Sequence, residues 1–347
     1  MISSDTHFER YSRQTRFAPI GATGQQRLSE SAVLVLGCGA LGSAIANALV
    51  RSGVGTVRIV DRDFVEESNL QRQLLFDEAD AAAGAPKAIA AAEKLRAINS
   101  QVRIESHVAD VTRHNLPQLA AGVQLIIDGT DNFETRLLLN DYSVREGVPW
   151  IYGGVVGAEG QVLVVLPGES ACFACLLPEP PAPGETQTCD TTGVLGPAVS
   201  VIAALQCIEA LKILTHSMDV VTRELIVVDL WPIRFRILTL SPNTGAEGCR
   251  VCQQHQFDWL SGQRGGEPVV LCGRNAVQIS PSTPQHVDLP RIAAQLASVG
   301  AVTQNAHLVR LSLGQQQLTL FADGRVIVSG VDEVAAARKL VAQYMGM

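Results

Sequence analysis

The chain has 347 residues, 47% of them hydrophobic and 18% charged, with a formal net charge of −7. That composition supports one large domain plus a small one and excludes wholesale disorder. The acidic balance, with no arginine-rich run, argues against nucleic-acid or anionic-membrane binding. The opening residues MISSDTHFERYSRQTRF lack the apolar core of a signal peptide. The most apolar stretch, about 195–214, carries Ser200, Gln206, Glu209 and Lys212 and does not read as a membrane span. A soluble cytoplasmic protein is expected, whose eight cysteines serve as metal ligands, nucleophiles or core residues rather than disulfides.

In chain order, residues 1–30 are polar, and Arg10, Arg13 and Arg16 recur at helical spacing, the pattern of a solvated helix face. Val33–Leu36 is a short apolar run suited to a buried parallel strand. It runs into Gly37, Gly39 and Gly42 at G-x-G-x-x-G spacing, with Leu41–Leu49 helical beyond them. The first glycine allows a tight turn, the second lets phosphate approach the backbone, and the third lets helix pack on strand; the freed amides suit an anion. Val57–Val60 is a second strand ending in Asp61, at the distance expected of a ribose-binding acid. The polar segment Ser68-Asn69-Leu70-Gln71-Arg72-Gln73 follows. Residues 79–99 read as a helix with Pro86 and Lys87 in its first turn, and 102–108 and 125–127 as strands. The last of these runs into Asp128-Gly129-Thr130-Asp131-Asn132, before a helix over 134–146.

Strands over 148–156 and 160–166 lead to Cys172-Phe-Ala-Cys175, a Pro-rich loop over 178–184, and Thr188-Cys189-Asp190. A long helix near 195–214 and strands near 224–229 and 235–240 precede Cys249-Arg-Val-Cys252. The expected fold is α/β: a Rossmann-like doubly wound, mainly parallel sheet with a structural zinc site of four cysteines, plus a small C-terminal α+β domain. The expected division is 1–260, a linker over 261–267 (GQRGGE from Gly262), and 268–347. In the last part Asp323-Gly324 marks a hairpin between 318–321 and 326–328, and a helix is expected over 332–344.

Two C-x-x-C pairs can grip opposite sides of one tetrahedral ion, and four thiolates with no open position describe structural rather than catalytic zinc. With 73 residues between Cys175 and Cys249, the pairs must meet through tertiary structure; the competing reading is redox or core cysteines. Cys189, apart from both pairs, is either an accessible nucleophile or incidental, and Asp190 beside it would raise rather than lower its pKa. Cys38, Cys207 and Cys272 read as packing residues. Asp61, Asn69, Arg72, Lys87, Asp131 and Asn132, collected at strand ends, suit a nucleoside triphosphate. There is no G-x-x-x-x-G-K-[ST] run, so a P-loop ATPase is excluded.

RYSRQTRF (10–17), GCGALG (37–42), DRDFVEESNLQRQ (61–73), GAPK (84–87), DGTDN (128–132), the cysteine pairs and TCDTTGVLGP (188–197) together resemble the ThiF/MoeB family. These are ubiquitin-activating-enzyme-like adenylyltransferases, and the resemblance covers about 8–255. Ala40 stands where many members have glycine. The resemblance implies ATP-dependent adenylylation of the C-terminal Gly-Gly carboxylate of a small ubiquitin-like sulfur-carrier protein, for thiamine or molybdenum-cofactor synthesis. It implies that Gly37, Gly39, Ala40 and Gly42 carry the nucleotide, Asp61 holds the ribose, and Arg72 and Lys87 neutralise phosphates. Asn69 and Asn132 assist, and Asp131 binds Mg²⁺. Arg13 would reach the phosphates of a neighbouring subunit, making a homodimer, and Cys189 is the candidate nucleophile in sulfur transfer. Cys172, Cys175, Cys249 and Cys252 would hold Zn²⁺. No sulfur-transfer domain follows, which implies a separate sulfur donor, and 268–347 does not match the catalytic family. The competing functions are an NAD-dependent oxidoreductase, resting on the glycines and Asp61 alone, and a non-catalytic zinc-stabilised nucleotide-binding module.

Overall fold

The structure, a computed structural model, describes residues 6–181, 189–240, 248–265, 269–271, 276–279, 281, 287–331 and 333–345. It divides into two compact units: residues 1–180 with 194–263, and residues 181–193 with 264–347.

In the first unit, α1 (Gly21–Glu30) leads into β1 (Ala32–Leu36), α2 (Ala40–Ser52), β2 (Thr56–Asp61), α3 (Lys87–Ile98), β3 (Arg103–Val108) and β4 (Leu125–Asp128). Then come α4 (Phe133–Glu146), β5 (Trp150–Val156), β6 (Glu159–Val165), α5 (Gly196–Leu214), β7 (Leu225–Asp229) and β8 (Arg234–Leu238). The strands form one sheet in the order β3-β2-β1-β4-β5-β6-β7-β8. The pairings from β3 through β5 are parallel, and those from β5 through β8 antiparallel. Both faces of the parallel part are covered, which is why β1 is a continuous apolar run. Val33 and Val35 join the core under α2, α3 and α5, whereas Leu34 and Leu36 join the opposite core with α4 and the first cysteine pair. The sheet thins at β8, all five residues of which are exposed.

The strand order reverses between β1 and β4, so the crevice outside their carboxyl ends is the ligand edge of an open α/β sheet. Three glycines set its depth. Gly37 takes φ +80°, and its amide donates to Val60 O at 2.8 Å. A Cβ on Gly42 would stand 1.8 Å from Gly37 O, and one on Gly129 would stand 2.8 Å from both Gly37 O and Gly42 Cα. A Cβ on Gly39 would meet only Gln73 Nε2, at 3.9 Å. Two of the motif glycines are therefore demanded by backbone packing, and the middle one faces open space.

The expected single helix over 79–99 is broken. A short helix, Glu78–Ala82, ends at Gly84 (φ +55°), and α3 starts only after Pro86, which is extended at ψ 130°. Proline lacks the amide a continuous helix would use, so it starts α3 instead of sitting inside it. The N-terminal arginines do not share one helix either. A 3₁₀ segment over Thr6–Tyr11 and a four-residue helix, Ser12–Thr15, precede α1. Arg10 donates to Ile98 O at 2.8 Å, at the end of α3, while Arg13 and Arg16 are exposed. Among the described residues α5 is the one helix long and apolar enough to cross a membrane. It packs on α2, β5 and β6, with Ile202, Ala203 and Ala210 at 2% exposure or less, which makes it a core helix.

The second unit is a six-stranded antiparallel sheet of β9 (Val269–Leu271), β10 (Ala276–Ile279), β11 (Ala301–Gln304), β12 (Leu308–Leu313), β13 (Gln316–Phe321) and β14 (Val326–Ser329). The strands lie in the order β11-β12-β13-β14-β10-β9. α6 (Leu289–Leu296) and α7 (Val334–Met345) share its core with Val309, Leu311, Leu318, Leu320, Val326 and Val328. The Asp323-Gly324 hairpin forms as expected, with Gly324 at φ +85° and Asp323 Oδ1 accepting from Arg325 N at 3.1 Å. Cys272 and Asp332 lie outside the described residues.

Equilibrium urea unfolding separates the glycines. Gly42→Ala is expected to lose about 3 kcal/mol, because main chain must move, whereas Gly39→Ala is expected to stay within about 0.5 kcal/mol of the unaltered chain.

Candidate active site

The crevice at the switch point is lined by the turns after β1, β2 and β4. Asp61, the last residue of β2, is 9% exposed and faces the glycine turn: its Oδ2 accepts from Cys38 N at 2.5 Å and its Oδ1 from Asp63 N at 2.6 Å. Burial raises its pKa, and the Lys87 ammonium opposes that rise. Lys87 opens α3 almost fully buried, with its amide on Asp63 O at 2.9 Å and Nζ 3.6 Å from Asp63 Oδ2. The extended Pro86 and the broken helix before it bring this cation to the Asp61 end of the crevice.

Over the start of α2 lies the turn 69–73. Asn69 is buried and builds the turn: its Oδ1 accepts from Glu66 N at 3.3 Å and its Nδ2 reaches Ser68 Oγ at 3.4 Å. Half-buried Arg72 donates to Ser68 O at 3.0 Å. The far side of the turn rests on α5, where a Cβ on Gly196 would stand 2.9 Å from Gln71 O. The sequence places Asn69 and Arg72 together; the structure also puts Gln73 there, with its side chain at Gly39.

After β4 the loop 128–132 is held by a buried network that sequence reading does not assign. Asp128, fully buried, pairs with Arg136 (Nε to Oδ2, 2.9 Å), and its Oδ1 accepts from Thr130 N at 2.9 Å and Thr130 Oγ1 at 2.7 Å. Arg136 also donates to Thr130 O and, at 3.1 Å, to Gly153 O, and its guanidinium lies 4.9 Å from the centre of the Tyr152 ring. Gln206 Nε2, from α5, donates to Asp128 O at 2.8 Å. Burial raises the Asp128 pKa, with Arg136 and Thr130 pulling the other way. The network leaves Asp131 exposed at the loop's crest, while Asn132 caps α4, its Oδ1 accepting from Glu134 N at 2.8 Å. A basic residue one helical turn past a βα loop, as Arg136 stands to Asp128, is the signal available in the sequence. Half-buried Arg62, next to Asp61, bonds both oxygens of Asp110 at 3.1 and 3.2 Å, and sequence reading does not assign it either.

Arg13 does not reach the crevice of its own chain by any contact among the described residues. Its segment is tied down by Asn99 Nδ2 to Tyr11 Oη (2.8 Å) and Gln14 Nε2 to Ser52 O (2.9 Å). Cys189 opens a four-residue helical turn, Cys189–Thr192, and its side chain lies outside the described residues. Cys38 and Cys207 are buried packing residues, as expected.

The two cysteine pairs meet on the α4 side of the sheet. Sγ separations are 3.8 Å for Cys172–Cys175, 3.7 Å for Cys172–Cys249 and 3.6 Å for Cys175–Cys252, and all four sulfurs lie within 4.8 Å of one another. A tetrahedron with Zn–S bonds of about 2.3 Å has edges of about 3.8 Å. The donor set and spacing therefore fit Zn²⁺ closed to other ligands. Cys249 N is fixed by Gln253 Oε1 at 2.8 Å, and Asn140 Nδ2 lies 3.5 Å from Cys172 Sγ. Metal analysis is expected to give about one zinc per chain; Cys172→Ser loses it and lowers the melting temperature, and a strong chelator has the same effect on the unaltered chain.

The ThiF family model matches residues 11–251. The sulfur carrier protein ThiS adenylyltransferase of Bacillus subtilis strain 168 is 42% identical over 339 residues, covering 97% of this chain and 99% of that protein. That match extends through the second unit, which is thus shared with a full-length relative and not foreign to the family. The sulfur carrier protein adenylyltransferase of Thermus thermophilus is 38% identical over 70% of this chain and 90% of its own. Among solved structures, Escherichia coli MccB with ATP superposes with a TM-score of 0.59 at 22% identity, covering 71% of this chain and 74% of that one, a likeness of fold. With the glycine turn, the Asp61–Lys87 end, the 69–73 turn and the four-cysteine cluster assembled as described, the chain belongs to the ThiF family.

Proposed function

We propose that this adenylyltransferase uses ATP to activate the C-terminal glycine of a small ubiquitin-like sulfur carrier, of the kind serving thiamine synthesis. The carrier carboxylate oxygen attacks the α-phosphorus, the bond to the bridging oxygen breaks, and pyrophosphate leaves with that electron pair, giving an acyl-adenylate. The observation that carries the reading is the placing of an acid, Asp61, within the field of a buried cation, Lys87, itself 3.6 Å from Asp63, at one end of a glycine turn whose other end lies under the Arg72 turn. A dehydrogenase needs none of the groups after Asp61.

Both reactants are anionic, so the site's task is positioning and charge neutralisation. The amides at the start of α2 and the side chains of Lys87 and Arg72 take the phosphates, and Asp61 takes the ribose hydroxyls. Asp131, an exposed carboxylate on a braced loop, suits Mg²⁺, which uses one or two carboxylates with substrate phosphates and draws charge from them. Arg13 supplies a further cation to the site of a second subunit, in a homodimer. Residues 1–260 form the catalytic domain, 261–267 a linker and 268–347 an accessory domain, and a separate protein donates sulfur, with Cys189 acting after adenylylation. The thiamine branch is favoured over the molybdenum-cofactor branch because the 42% match to a ThiS adenylyltransferase runs the length of both chains.

ATP–pyrophosphate exchange tests this. Exchange is expected with a Gly-Gly-ended carrier and not with one lacking that terminus; tight NAD binding without exchange would sink the reading. Asp131→Ala should lower exchange at least about 100-fold, and Cys189→Ala should leave it intact; a folded Cys189→Ala chain without exchange overturns that division. Mixing inactive Arg13→Ala and Asp131→Ala chains is expected to restore activity, because one site of the mixed dimer then has both groups. No recovery in verified mixed dimers would place Arg13 in its own subunit's site or outside catalysis.

A further inference from the structure

We infer that Gln73 is a nucleotide-binding residue, its side-chain amide donating to a phosphoryl oxygen held at the start of α2. This rests on the ATP reading above and adds a group to it. Gln73 is 4% exposed, yet its Oε1 has no hydrogen-bond partner among the described residues. A buried amide oxygen left unpaired is costly, and such groups in folded proteins ask for an explanation. The explanation lies not at that oxygen, which an anion cannot pair, but at the Nε2 end, the donor that faces the helix start. Chain neighbours aside, it is the sole described atom within 4 Å of the point where a Cβ on Gly39 would stand, so it overlooks the one motif glycine that backbone packing does not demand.

Gly39 is the residue before the first turn of the thirteen-residue α2, and no side chain caps that helix start. Its amides therefore offer an anion site. Gln73 is carried there rigidly: its amide donates to Asn69 O at 3.0 Å, its carbonyl accepts from Phe76 N at 3.2 Å, and Asn69 is consumed in building the same turn. Of the two amide side chains at the ends of the 69–73 turn, Asn69 shapes the loop and Gln73 is left for the ligand. An uncharged donor at this point tightens the hold on a phosphate without adding to the field of Lys87 and Arg72.

Calorimetric titration of the full chain with MgATP, alongside thermal melting without nucleotide, tests the assignment using Gln73→Met and Gln73→Glu. Gln73→Met keeps length and volume and removes the unpaired oxygen. It is expected to weaken ATP binding about 10- to 100-fold, the worth of a hydrogen bond to a charged group, while the melting temperature holds or rises. Gln73→Glu is expected to bind more weakly still, through repulsion. ATP affinity within twofold of the unaltered chain in Gln73→Met overturns the assignment, as does a lowered melting temperature with proportionate loss of binding, which would make Gln73 a packing residue. If the unaltered chain binds no ATP, the reaction proposed above falls and takes this assignment with it. Exchange activity in the unaltered chain with an unchanged Gln73→Met affinity removes only the assignment.

Discussion

The molecule turns on a contact between two pieces of main chain. Where the strand order reverses, the carbonyl of Gly37 lies against Gly42 and Gly129, close enough that no side chain fits at either. That approach sets the start of α2 directly over the carboxyl end of β1 and beside the loop after β4. Loosening it would separate the groups that Asp61, the 69–73 turn and the 128–132 loop bring to one crevice. Much of the surrounding sequence follows from keeping this contact closed: apolar strands buried on both faces, and a core helix, α5, whose Gln206 fastens the end of β4.

The two faces of the sheet divide the work. On one, α2, α3 and α5 frame the crevice. On the other, the cysteine cluster ties two segments 73 residues apart in sequence to α4, where the Trp150, Tyr152 and Phe173 rings pack edge to face or tilted, with centroids 4.8 to 6.5 Å apart. Metal-sized and closed, that cluster is remote in kind from the reaction: it offers no open position to a substrate. The bracing reaches the crevice through α4, which carries Asn140 at the cysteine end and Arg136 at the Asp128 end.

Legibility in the sequence tracks locality. The glycine turn, the strand that ends at Asp61 and the Asp-Gly hairpin each encode their conformation within a few residues and form as read, and the doubled C-x-x-C motif signals a cluster that only tertiary structure assembles. The parts that sequence does not disclose depend on distant partners. Nothing local says that Arg136 will be buried against Asp128 and Tyr152, that Arg62 will bridge to Asp110 48 residues on, or that the exposed Arg10 will also donate to the last carbonyl of α3. The break before α3 is written in Gly84 and Pro86, but the alanine-rich run around them outweighs it in a reading by periodicity. Asn69 and Asn132 carry a structural part that the sequence does not announce: the Oδ1 of each accepts from a backbone amide, of Glu66 and of Glu134.

One peripheral feature bears on how the chain survives at high concentration. β8 leaves Phe235 and Ile237 exposed on one face, with Trp231 and Ile233 exposed just before it, on a strand paired on one side only among the described strands. An apolar strand with an open ladder is a template for intermolecular cross-β pairing. Arg234 and Arg236 alternate with those side chains, and their like charges set approaching copies apart. The two arginines thus interrupt an apolar edge with charge, the device by which exposed strands are kept from pairing across molecules.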